Sequence, residues 1–175
     1  VVEGEDITLR EFAVYVAYEE SKVQEQAIAY DPTNTKKYWG LHTNGQFIKF
    51  AARNAAVSMA IHDELFYQLG IEKNITLTEE EEQTLGNDVM DFWADLTENA
   101  KEQRLGISKE DTELALRKIA IAEKAQAIYA KLNNVEYKDY HFEGEAFLEF
   151  LSQYDYKINE QIVDKLDFGD ITINH

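Results

Sequence analysis

One stretch limits the fold more than any other: Phe47 to Glu82, FIKFAARNAAVSMAIHDELFYQLGIEKNITLTEEEE. Phe47, Phe50, Ala51, Ala55, Ser58, Ile61, Leu65 and Leu69 recur at spacings of three and four, which draws one apolar stripe along a helix. Ala52, Ala56, Val57, Met59, Ala60, Phe66 and Tyr67 widen it, leaving Lys49, Arg53, His62, Asp63, Glu64 and Gln68 for water. A helix this apolar belongs at the centre of a mainly α fold. Gly70 is the expected stop, since glycine takes the left-handed conformation that closes a helix and Ile71 can fold back over the last turn. Thr78 followed by Glu79, Glu80 and Glu81 then reads as a capping box, with carboxylates at the positive end of the next helix.

The same punctuation recurs along the chain. Leu69-Gly70-Ile71 returns as Leu105-Gly106-Ile107, followed by Ser108 with Glu110 and Asp111, and Thr8 with Glu11 opens the first helix. That helix presents Leu9, Phe12, Ala13, Val16, Ala17, Val23 and Ala27 on one face, and Val14, Tyr15 and Tyr18 on a second. Asp31-Pro32-Thr33-Asn34-Thr35 ends it and begins a loop to about Gln46 that carries Tyr38, Trp39 and Leu41. Leu85, Val89, Phe92, Trp93, Leu96 and Ala100 mark a third helix ending near Gly106. A fourth runs from Ser108 to about Leu132 with a near-heptad seam. Beyond Asn133-Asn134, a small helix is expected around Gly144 to Gln153. The period-two pattern of Tyr154, Tyr156 and Ile158, and of Ile171 and Ile173, predicts a small C-terminal β-element. Val1 to Glu3 read as a short N-terminal strand. The expected organisation is a single helical domain over 1–175, with a core at 1–132 and a helix-and-strand appendage at 133–175.

Composition narrows the function. A formal net charge of -17, from 34 acidic and 17 basic residues, repels phosphate backbones and anionic membranes, so no nucleic-acid partner is expected. Without cysteine there is no disulfide, thiolate metal site or cysteine nucleophile. No apolar run nears the roughly 20 residues that span a bilayer. His42, His62, His141 and His175 share no metal-ligand spacing, and His62-Asp63-Glu64 lacks the second histidine a zinc helix needs four residues on. No nucleophile elbow, phosphate-binding loop or dinucleotide fingerprint occurs, so neither catalytic residues nor cofactors nor metals are assigned. What remains is an aromatic surplus of ten Tyr, nine Phe and two Trp, more than the helical seams require. The residues best placed to form an apolar, peptide-binding surface are Phe12, Tyr15, Tyr18, Tyr38, Trp39, Phe92 and Trp93.

The phrase Val2-Glu3-Gly4, Ile7-Thr8, Glu11-Phe12 resembles the opening of the SurA/PrsA-type extracytoplasmic foldases. Ala60 to Ile71 followed by Leu77-Thr78-Glu79-Glu80-Glu81, and Gly106-Ile107-Ser108 with Asp111, are similar to that family's later helix junctions. The resemblance covers roughly residues 1 to 132. It implies a multi-helix, SurA N-terminal-like chaperone domain that holds unfolded or newly exported polypeptides outside the cytoplasm, at a bacterial surface or envelope. Anchoring through a removed N-terminal signal, and a homodimer, are compatible with it. Many relatives add a parvulin domain, but the 43 residues after Leu132 are too few for one, so no isomerase residue carries over. A prolyl isomerase with an unrecognised site, and a helical structural or dimerisation protein, are the alternative readings.

Overall fold

The computed structural model describes residues 1–175 and is mainly helical. Helix α1 (Leu9–Tyr30) is followed by the short α2 (Thr35–Trp39), a two-residue hairpin of β1 (His42–Thr43) and β2 (Gln46–Phe47), and the long α3 (Ile48–Glu72). Helices α4 (Glu79–Asp95) and α5 (Lys109–Leu132) flank a π-helical segment at Asn99–Leu105, and α6 (Glu145–Leu151) and α7 (Glu160–Val163) complete the chain. The loop expected between Asp31 and Gln46 is thus folded into α2 and the hairpin.

Local chemistry fixes the helix starts. Thr8, Thr78 and Ser108 each accept the amide of the residue three on, while Glu11, Glu81 and Asp111 reach back to the cap amide. Each reciprocal pair satisfies donors that a helix start would otherwise leave free. The helix ends depart from expectation. Gly70 does not stop α3, which continues to Glu72, and the left-handed residue is Asn74 at φ 55°. Gly70 instead lets α5 approach, since a Cβ there would lie 2.9 Å from the Ile121 methyl. The third helix ends early at Leu96, whose extended backbone breaks it before the π-helical segment, and Gly106 closes that segment at φ 61°.

Two apolar clusters share α3. Ala52, Ala56 and Ala60 are small enough to draw α1 in, and Phe12, Val16, Val23 and Trp39 fill the space beside them. On its other side Ile61, Leu65 and Phe66 pack with Ala122 and Ala125 of α5 and with Phe147 and Phe150 of α6. Residues beyond Leu132 complete both clusters, because Phe168 seals the first as Phe147 and Phe150 seal the second.

The C-terminal β-element is not formed. Tyr156 bridges Val2, which also bridges Glu5, and backbone hydrogen bonds join Val1 with Lys157 and Glu3 with Asp155; this short pairing is what stands for the expected terminal strands. The final residues are bound to α1 by a side chain. The fully buried Glu20 carboxylate accepts the amides of Gly169, Ile171 and Thr172 at 2.5, 3.1 and 2.6 Å, together with the Thr172 hydroxyl at 2.5 Å. Trp39 lies so close over Gly169 that a Cβ there would sit 2.7 Å from the indole. The alternating Ile171 and Ile173 pack against the first cluster, so their pattern reflects burial against helices and not strand pairing.

Candidate functional site

A cleft with a volume of about 920 Å³ opens between α1, α3, α4 and α5, and the C-terminal tail forms part of its rim. That volume lies in the range of small-molecule and peptide pockets. Helix α1 contributes Tyr15, Tyr18 and Ile28, α3 contributes Met59, His62 and Asp63, and Phe92 and Leu96 come from α4 and its end. Leu116, Ile119 and Glu123 of α5 face them. Tyr137, Phe142, Thr172 and Ile173 close the ends.

The seven aromatic candidates divide. Tyr15, Tyr18 and Phe92 line the cleft, with Tyr18 the most open at 58% exposure. Phe12 and Trp39 are core residues; the Trp39 indole donates to Gln24 Oε1 at 3.0 Å and supports the tail. Tyr38 donates to Gln26 Oε1 at 3.2 Å and meets Tyr30, away from the cleft. Trp93 lies beneath the Lys101 ammonium, 4.6 Å from its ring, and also outside the cleft. A single helical face does not separate Phe12 from Tyr15, because α1 is packed on several sides.

Polar residues that sequence assigned to water form the cleft's floor. His62 is buried, with Nε2 2.8 Å from the Tyr140 carbonyl and Nδ1 2.7 Å from Asp63 Oδ1. Nε2 therefore donates to the carbonyl, and Asp63 lies against the ring's other nitrogen. Tyr15 donates its hydroxyl to Asp63 Oδ2 at 3.0 Å. Burial, then the adjacent Asp63 charge, pushes the Tyr15 phenol well above its ordinary range, so it remains a donor. Glu123 differs from these groups because no hydrogen bond or ion pair holds it. The residue is exposed, yet partial desolvation of its carboxyl, then the charges of Asp63 and Asp88, raises the pKa above the usual value against an opposing contribution from His62. Burial, Glu123 and Asp63 likewise raise the Tyr137 phenol.

Beneath the cleft, Lys118 bridges Glu11 and the buried Glu64 at 2.7 Å each. Burial opposes its charge, but the two carboxylates more than offset this and raise its pKa. This bridge ties α1, α3 and α5 together, and no spacing in the sequence announces it. No three acidic or histidine side chains converge as a metal-binding group, and no helix is long and apolar enough to cross a membrane.

The chain matches no protein-family model, and no match to it was found among curated proteins or solved structures.

Proposed function

We propose that this chain is a non-catalytic polypeptide-binding module that holds unfolded or newly exported segments in the cleft between α1, α3, α4 and α5. The observation that carries the reading is the cleft itself, which is open, large and lined by Tyr18, Phe92, Leu96, Leu116 and Ile119 on opposing helices. Such a surface accepts apolar side chains without demanding one sequence, and its binding is broad and weak per contact. The resemblance of the helix junctions to SurA/PrsA-type foldases supports the same reading and is the ground for placing the protein outside the cytoplasm. Binding here uses positioned apolar faces, and no step of bond making is assigned.

Suppression of aggregation of a chemically denatured client tests the proposal. Wild type should suppress at stoichiometric excess, and Tyr18→Ala combined with Phe92→Ala should weaken suppression while retaining the helical circular-dichroism signal. A wild type that gives no suppression at that excess sinks the reading. In a protease-coupled assay on a proline-containing peptide, the protein should leave the isomerisation rate at background.

A further inference from the structure

The cleft is apolar on its walls but acidic in its charge. Glu19, Glu25, Asp63, Asp95, Glu123 and Glu143 line it against only two lysines, Lys22 and Lys138. Both lysines are engaged, Lys22 with Glu19 at 2.9 Å and Lys138 with Glu136 at 2.8 Å. Glu25, Asp95, Glu123 and Glu143 have no ionic partner in the structure. Asp63 of α3 is held by His62 and Tyr15, whereas Glu123 of α5 is exposed and free to meet a ligand. Carboxylates that line an apolar cleft without an ionic partner, as Glu25, Asp95, Glu123 and Glu143 do, favour a cation there. No trio of ligands is arranged for a metal, so the matching cation is one that brings its own hydrogens. Tyr18, Phe92 and Tyr137 can receive the carbon stem or an adjacent apolar side chain.

We infer that the cleft selects basic polypeptide segments, seating a lysine or arginine side chain at Glu123 with the flanking apolar residues on Tyr18, Phe92 and Tyr137. The inference rests on the reading of the cleft as a polypeptide site and adds the charge of the segment it prefers. The chain's net charge of -17 acts in the same direction, drawing basic segments in over distances of about a Debye length.

Fluorescence anisotropy with labelled peptides that share one apolar sequence and carry lysine, glutamine or glutamate at the same positions tests this. The lysine peptide should bind roughly tenfold tighter than the glutamine peptide, and the glutamate peptide weakest, with the lysine advantage shrinking as salt rises. Glu123→Gln should narrow the advantage to roughly threefold, whereas Glu102→Gln, on the π-helical segment away from the cleft, should not change it. Equal binding of the lysine and glutamine peptides overturns the charge selection while the proposed function stands. Failure of every peptide to bind overturns both. An advantage that survives Glu123→Gln intact overturns the placement of the cation. Spermidine binding as tightly as the lysine peptide overturns the assignment to polypeptide.

Discussion

Replacing Glu20 by glutamine should release the C-terminal tail without unfolding the helices. In the native chain one carboxylate oxygen accepts the amides of Gly169 and Ile171, and the other accepts the amide and hydroxyl of Thr172. Hydrogen bonds to a charged group contribute about 1.5–3 kcal/mol each. Glutamine keeps one accepting oxygen and turns an NH2 group towards donors, so two bonds are lost and two become neutral ones. Relief of the buried charge offsets part of that loss. The net cost to tail attachment is about 3–5 kcal/mol, the range found when a buried charged contact loses one partner. Because α1, α3 and α5 keep their own contacts, the loss should appear as local opening. Amide exchange at Ile171 and Thr172, followed by NMR or peptide-resolved mass spectrometry, should accelerate by at least about a hundredfold, each tenfold corresponding to about 1.4 kcal/mol. Amides in the middle of α3 should change far less. Exchange at Thr172 within about threefold of wild type would refute the view that Glu20 holds the tail.

Three further substitutions probe separate parts of the structure. Gly70→Ala gains about 0.5–1 kcal/mol of helix propensity but forces a Cβ to 2.9 Å from Ile121, an overpacking cost of about 1–3 kcal/mol. Urea denaturation should therefore show net destabilisation of about 1 kcal/mol, and a more stable variant contradicts the close α3–α5 approach. Trp39→Ala should lose about 3–5 kcal/mol of stability in the same assay, as an aromatic core truncation does; unchanged stability contradicts its placement in the core. Glu123→Gln should raise stability at pH 7, because the native state holds this ionised carboxyl less well than the unfolded chain does. The sign fixes the window: the advantage is full above the raised native pKa, fades as pH falls through it, and vanishes below the unfolded value near ~4.3. Parallel melts of both proteins across that range check it, and an advantage that grows on acidification contradicts the unpaired environment of Glu123.

Features governed by neighbours in sequence were legible, and those governed by distant partners were not. The caps at Thr8, Thr78 and Ser108 follow from residues three apart, and the central position of α3 follows from the breadth of its apolar stripe. The stripe could not show which polar residues would be buried. His62 depends on the Tyr140 carbonyl, and Glu64 on Lys118, both far along the chain. The tail misled for the same reason, since its alternation fits a strand equally well and only Glu20, about 150 positions earlier, supplies the acceptors that replace a partner strand. Among the aromatics, Tyr18 and Phe92 reached the cleft, whereas Trp39 was drawn under the tail by Gly169 and by Gln24. Composition counted the rings but carried no information on where each one would face.

Helix α4 closes one side of the cleft, yet its main neighbour is α5, and only Leu85 and Val89 are fully buried along its length. Two such side chains contribute about 3–6 kcal/mol, the partly buried Phe92 and Trp93 add to this, and the surface ion pairs of Glu81 with Lys124 and Glu82 with Arg117 add little. Local opening of α4 therefore breaks fewer buried contacts than local opening of α3 would. The cleft thus has one wall set on few buried contacts and another built into the core. A bulky side chain arriving at Phe92 meets a wall that yields, while one arriving at Met59 meets the packed centre of the molecule. Girth is tolerated on one side and refused on the other.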